Sequence, residues 1–513
     1  MCSVVVYVFI IITCIKILLI PSYSSTDFEV HRNWLATTYT LPINQWYTAT
    51  HSEWTLDYPP LFAWFEYILA HIAVYVDNHI VDIHAHNYYK YTTILFQRFS
   101  VIATDAVLAF AVYKYCSIHS RVSSGIGIIS FVVLCHPALL LVDHVHFQYN
   151  GMLLGILILS CTYIQTGHND ILGGVLFAVL LCFKHIFLYI APVYFVYLLR
   201  HYCMHTHTQQ NITTNNTLHE FIWRLFKLGC AVLSVFVITL VPWMYSIGDV
   251  FVRLFPFQRG LSHAYWAPNI WAIYNTIDRV AYAIARRLGY NSITVRVSST
   301  SGLVSIIDHA ILPSVTPTHT AILTLATMAP ALYNLWKYPH PKMFIPSLLY
   351  CSMCSYMFGW HVHEKAILLI VLPFAAICTW STMHTTYYII LSYCSTISIF
   401  PLLFTHTEAY TKFLVCTVYH VIAYMLLYTY QQHHNKSFNG ILNINHIIYL
   451  SASIPTLIIT NIILPCYFPQ LEFAPLLCIS VYCAVGMVYI WMKLFTCIHT
   501  YQHHAPQTQN KDA

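Results

Sequence analysis

Asp57 stands in the stretch Ser52 to Glu66, SEWTLDYPPLFAWFE, between apolar segments long enough to cross a bilayer. A carboxylate held where membrane meets water is costly unless it has a task, which makes Asp57 the candidate catalytic group. Aromatic residues flank it and the Pro59-Pro60 pair fixes it. Taken alone, Asp before proline more often caps a helix. Here a helix opening on the two prolines loses no hydrogen bond in its first turn, and the carboxylate can accept the free amides. The same segment carries Asp27, Glu29 and Arg32. No D-x-D occurs in the chain, which disfavours a metal-bound nucleotide donor, and no metal is expected.

Other clusters share this polarity. Asp143-His-Val-His-Phe-Gln-Tyr-Asn150 alternates so that an extended segment would present His144, His146 and Gln148 together, for hydrogen bonding to sugar hydroxyls, for a metal, or for solvation alone. Lys184-His185 separates two short apolar runs, where the cation either ends a helix or attracts a phosphate. From Arg253 to Asn275, Arg253, Arg259 and His263 interleave with Tyr265, Trp266 and further aromatics, which suits a membrane-interface belt or a site that stacks sugar rings and neutralises an anion. In Phe358-Gly-Trp-His-Val-His-Glu-Lys365, His361, His363 and Lys365 can converge on a bound anion while Glu364 orients an imidazole; this is not the HExxH zinc helix. Arg98 and Asp105, seven residues apart on one predicted helix, face the same side as an ion pair or as indirect support for a site.

The elements that must position these groups follow from composition. With 58% hydrophobic and 8% charged residues, the chain exceeds what a soluble domain can carry without large exposed apolar patches. Each crossing needs about 20 mostly apolar residues, and counting such runs gives an all-α polytopic membrane protein with about 14 transmembrane helices. The organisation expected is a first transmembrane helix at 1–21 and a luminal loop with interfacial helices at 22–91. Transmembrane helices follow at 92–247, then a long luminal loop at 248–317, C-terminal transmembrane helices at 318–495 and a cytosolic tail at 496–513. Lys114, Arg121, Arg200, Arg224, Lys227, Lys337, Lys342, Lys436 and Lys493 then fall on the cytosolic side with both termini, as the positive-inside rule requires. Most of the 18 acidic residues fall on the opposite, luminal face. The sequons at Asn211, Asn215 and Asn435 become cytosolic, and Cys351-Ser-Met-Cys354 lies inside an apolar helix with no second pair to complete a zinc site.

At STDFEVHRNWLA, SEWTLDYPPLFAWFE, VDHVHFQYNG, FKHIFLYIAPVYFVYLLR, RLFPFQRGLSHAYWAPNIWAIYN and FGWHVHEKAILL the chain resembles the endoplasmic reticulum glucosyltransferases that extend the lipid-linked oligosaccharide from dolichyl phosphate glucose. The wording STDFEVHRNW and SEWTLDYPP is nearer to members adding the second glucose, although first-glucose members share D-x-E, DYPP and VHEK. The resemblance implies the C-type glycosyltransferase (GT-C) fold, an inverting metal-independent mechanism, Asp57 as general base, and His363, Glu364 and Lys365 near the donor phosphate.

Expected partners are therefore dolichyl phosphate glucose, the dolichyl-pyrophosphate-linked oligosaccharide and membrane lipids, with no nucleic acid and no cofactor. His361, Arg253, Arg259, Lys184 and His185 join the donor-phosphate candidates. Asp27, Glu29, Arg32, Arg98, Asp105, Asp143, His144, His146, Gln148, His263, Tyr265 and Trp266 are read as acceptor-binding or supporting. A transporter or scramblase of lipid-linked sugars is the reading from another class; such proteins tend to show internal repeats and charges at the bilayer midplane, and here the polar groups cluster at one surface.

Overall fold

The computed structural model describes residues 2–119, 122–204, 214–255, 260–263, 266–289, 309–403, 405–436 and 438–500. Arg259, Tyr265, the sequon at Asn211 and the polar tail from 501 lie outside these residues. The described chain is helical, with two isolated β-bridges. Seven helical stretches are long and apolar enough, by length and composition, to cross a membrane: Tyr91–His119, Ser123–Phe147, His185–Cys203, Leu218–Trp243, Thr407–His434, Ile444–Tyr467 and Ala474–Ile498. Four shorter apolar helices accompany them at Ser3–Leu18, Pro60–Val76, Asn150–Gln165 and Asp170–Phe183. Within 318–495, where C-terminal transmembrane helices are expected, the chain also forms the helices Pro317–Lys337, Pro341–Phe358 and Thr382–Ile397.

The chain divides into two compact units. One comprises Met1–Phe257, Ala375–Thr379 and Leu403–Tyr430; the other comprises Gln258–Phe374, Trp380–Leu402 and Gln431–Ala513.

In the first unit the helix Thr26–Thr40 starts where Ser25 accepts from the Phe28 amide at 3.3 Å, with Asp27 and Glu29 in the positive first turn. Pro42 follows its end and prevents continuation. The helix Pro60–Val76 has Pro59 as its N-cap residue, with no side-chain hydrogen bond at that cap. Asp57 lies two residues before that N-cap. Phe62, Ala63, Glu66, Ala70 and Ala73 form its buried face while Ile68, Ile72 and Tyr75 stay exposed. Both helices close on an aromatic core of Phe28, Trp34, Trp46, Tyr47, Phe62, Phe147, Tyr149 and Trp243. Burying an aromatic side chain of this kind contributes roughly 1.5–3 kcal/mol.

The segment Leu140–Phe147 is a buried π-helix and not the extended strand that its alternation suggested. Its last turn closes with Gln148 donating to the Asp143 carbonyl at 3.4 Å, a five-residue spacing. Phe147 leaves it at φ 97°, a conformation a bulky residue adopts only when its surroundings enforce it.

In the second unit, Asn269 caps the helix Ile270–Arg287 by accepting from Trp271 N at 3.0 Å. Thr316 and His319 form a capping box at the start of Pro317–Lys337, with Pro317 in its first turn. The Trp271 indole donates to Gly359 O at 2.9 Å, which holds the end of Pro341–Phe358.

Candidate active site

Two clusters of polar side chains emerge, one in each unit. In the first unit they gather around Tyr58. Burial, then the charges of Asp57, Asp27, Asp143 and Glu66, hold its phenol well above the ordinary range, so the fields of four carboxylates reach it. Lys184 stands 4.9 Å from the centroid of that ring and donates to Asn150 Oδ1 at 3.1 Å. Asp57 is half-buried beside it. Burial and Asp57 also push up the phenol of Tyr47, whose hydroxyl donates to the Tyr58 carbonyl at 2.7 Å.

Asp27, 30 positions before Asp57, is anchored from the other side. Its Oδ2 accepts from Gln148 Nε2 at 2.6 Å and lies 3.4 Å from His146 Nε2. His146 Nδ1 meets the Tyr23 hydroxyl at 2.7 Å, and Ser25 Oγ donates to the His146 carbonyl. The Asp27 side chain keeps 23% of its surface, against 9% for His146. Its carboxylate is therefore both ordered and reachable.

Several residues expected near the chemistry instead support it. Glu29 and Arg32 form a buried pair at 2.7 Å, and Arg32 also donates to the carbonyls of Ile80 and Asp82. Arg98 does not pair with Asp105: it donates to the carbonyls of His144 and Val145, at the end of the π-helix where carbonyls lack helical partners, and to that of Tyr23, at 2.7–2.9 Å. Asp105 pairs with Lys16 Nζ at 2.6 Å and His144 Nε2 at 2.7 Å. His144 is thereby committed inside the helical packing. Asp143 accepts from Gly151 N at 2.6 Å and Asn150 Nδ2 at 2.9 Å. A Cβ on Gly151 would collide with Asp105 Oδ1, so glycine here leaves the two carboxylates room at this corner. Arg253 Nε donates to Tyr47 O at 2.9 Å and its Nη2 reaches Ala49 O at 3.5 Å, which ties down the segment before Asp57. His185 packs edge-on to Phe255 at 5.4 Å.

The sequence reading passed over Tyr58, Asn150, Tyr23, Lys16 and the buried His31–Glu66 pair at 2.6 Å. Glu66 closes the stretch that holds Asp57, and Lys16 interrupts an apolar run; those were the available signals. His31 sits among Trp34, Phe62, Phe147 and Tyr149 with ring centroids 4.8–5.6 Å away, and edge-on to Tyr58 at 6.3 Å.

In the second unit, residues 260–263 run beside 361–363. His361 N donates to Leu261 O at 2.9 Å, and bridges join Ser262 to Val362 and Trp266 to His363. The rings of His263 and His363 then lie 3.8 Å apart between centroids, tilted by 32°, with His361 at 5.5 Å from each. His361 is held at φ 51° while its Nδ1 donates to Gly260 O at 2.7 Å. Glu364 Oε2 lies 3.4 Å from His263 Nδ1. Burial would raise this carboxyl, but the His263 contact and the nearby Lys365 charge outweigh it and hold Glu364 below the usual range. Lys365 follows in the short 3-10 turn Glu364–Ile367. Arg279 covers the Trp266 ring at 4.8 Å, and Ser480 donates to the Trp266 carbonyl.

Comparison with known proteins adds a further line. The model of the ALG6, ALG8 glycosyltransferase family matches residues 12–494. The dolichyl pyrophosphate Glc1Man9GlcNAc2 alpha-1,3-glucosyltransferase of Mus musculus is 45% identical over 504 residues, covering 95% of this chain and 94% of that one. The proteins of the same description from Arabidopsis thaliana and Schizosaccharomyces pombe are 41% and 40% identical, over 94% of this chain in each case and 96% and 95% of their own lengths.

Proposed function

Because the chain belongs to the ALG6, ALG8 glycosyltransferase family, we propose that it adds the second glucose, in α-1,3 linkage, to Glc1Man9GlcNAc2 carried on dolichyl pyrophosphate. What carries this is identity of 40–45% with relatives named for that acceptor along nearly their whole length. An acceptor already bearing one glucose also separates it from the first-glucose alternative. The donor we infer is dolichyl phosphate glucose, the setting the endoplasmic reticulum membrane with both termini cytosolic and chemistry luminal, and the fold the C-type glycosyltransferase fold with about 14 crossings.

Chemically, an acceptor hydroxyl attacks the anomeric carbon of β-linked glucose from the face opposite the lipid phosphate, giving an α product. Asp57 takes the hydroxyl proton, a step worth ~10²–10⁴ in rate. Lys184, across the Tyr58 ring, keeps compensating positive charge near the four carboxylates. The departing phosphate gathers negative charge and needs donors, a role that suits His361, His363 and Lys365, each such donor contributing ~3–4 kcal/mol in comparable sites. Glu364 orients His263 beside them. Neither role requires a bound metal.

A second reading exchanges the carboxylates, and the geometry of Asp27 favours it: Asp27 is ordered by Gln148 and His146, is partly exposed, and acts on the same Tyr58. Transfer from synthetic dolichyl phosphate glucose to the monoglucosylated acceptor, measured for Asp57→Asn and Asp27→Asn in parallel, tests both. Asp57→Asn is expected to abolish turnover; if it turns over normally while Asp27→Asn does not, the base is Asp27. Activity only on the unglucosylated acceptor would overturn the acceptor assignment.

A further inference from the structure

We propose that His263, His361 and His363 form a binding site for a divalent transition metal of the zinc class, a property beyond the transfer reaction. Their ligand nitrogens all lie within 4.8 Å of one another. In a formed zinc site, nitrogens about 2.0–2.1 Å from the ion sit roughly 3.3 Å apart, a closure that side-chain rotation supplies. The frame around them is set by backbone contacts: the bridge between Ser262 and Val362, the bridge between Trp266 and His363, and the amide of His361 on the Leu261 carbonyl.

The hydrogen bonds also select which nitrogen faces the ion. His361 Nδ1 is used on the Gly260 carbonyl at 2.7 Å, so Nε2 is the nitrogen it would give to the ion. His263 Nδ1 faces Glu364 Oε2 at 3.4 Å, so Nε2 is the nitrogen it would give to the ion. An imidazole that binds metal through one nitrogen and gives the other to a carbonyl or carboxylate is the usual outer-shell arrangement of such sites. Three imidazoles without a ligating carboxylate suit zinc, cobalt, nickel or copper, and suit magnesium and calcium poorly because those ions demand oxygen. Three protein ligands leave a fourth position for a small molecule. Resting on the reading that His361 and His363 also serve the donor phosphate, the ion and the donor draw on the same imidazoles, so a bound ion is an inhibitor competitive with donor.

The test uses untagged full-length protein in detergent, stripped with a chelator and titrated with cobalt(II) without donor. One equivalent should generate visible d–d absorption that zinc abolishes and magnesium does not. Glu364→Gln keeps all three ligands and should weaken binding by about 10–100-fold; His361→Ala and His263→Ala should remove the band. Absence of a stoichiometric band from monodisperse protein, or a band that Glu364→Gln and His361→Ala leave unchanged, overturns the site. In the transfer assay, zinc should raise KM for the donor at unchanged kcat. A cobalt band with an unmoved KM upholds the metal site and removes the donor phosphate from these imidazoles.

Discussion

The Asp27 carboxylate accepts a hydrogen bond from Gln148 Nε2 at 2.6 Å, joining the first turn of the helix Thr26–Thr40 to the residue that leaves the π-helix Leu140–Phe147. Two segments more than a hundred residues apart thus hold one acid in place. Phe147, with its φ of 97°, immediately precedes that glutamine.

Replacing Gln148 therefore tests whether the order of Asp27 matters to turnover. Gln148→Leu removes a donor to a charged group, a loss of about 1.5–3 kcal/mol at most. It should lower kcat more than it lowers melting temperature. Gln148→Glu, which sets two carboxylates against each other, should be the more damaging; equal kcat for both variants and the parent would separate Asp27 from the chemistry.

Lys16, Asp105 and His144 form a buried ionic cluster. Lys16→Met leaves the Asp105 charge without its cation, and breaking a buried pair typically costs about 3–5 kcal/mol. The double variant Lys16→Met/Asp105→Asn should recover much of that loss. Thermal unfolding in detergent of the two single variants and the double gives the comparison, and strict additivity would deny the pairing.

Gly151→Ala places a methyl against Asp105 Oδ1 while Gly151 N is bound to Asp143. Overpacking of this kind costs typically 1–3 kcal/mol. We expect lower yield and thermal stability together with a fall in transfer, because Asn150, the partner of Lys184, is the adjacent residue. Melting temperature and kcat at parental levels would count against a shared corner.

Asp278 receives the amides of Ala310, Ile311 and Leu312 at 2.8–3.0 Å. Burial would raise its carboxyl, yet these three bonds and the His309 charge hold it below the ordinary range. A lowered folded pKa stabilises above the unfolded value near 3.9 and is lost as pH falls through the folded one. Hydrogen exchange at 310–312 should hence stay protected from pH 8 down to about 5 and open only at strongly acid pH. Asp278→Asn should speed exchange by at least about fivefold at neutral pH, the equivalent of ~1 kcal/mol; unchanged protection would show that the loop is held by other contacts.

Much of this molecule is local and so lies open in the chain. Ser25 followed by Asp27 and Glu29 specifies a helix start, Pro59-Pro60 another, and the apolar runs specify helices that need lipid or each other. The polar stretches around Asp57, His146 and Lys365 were visible because ionisable groups are rare in such a composition. Tertiary structure alone decided their partners. Arg98 and Asp105 share a helical side by spacing, yet packing gives the arginine two carbonyls of a π-helix and that of Tyr23, and the acid a lysine 89 positions away. His263 meets His361 and His363 only because two segments about a hundred residues apart lie side by side. Periodicity reports which face of an element is apolar, whereas a hydrogen bond between distant residues depends on how faces dock, and a low-dielectric interior makes every such pairing obligatory without naming it in advance.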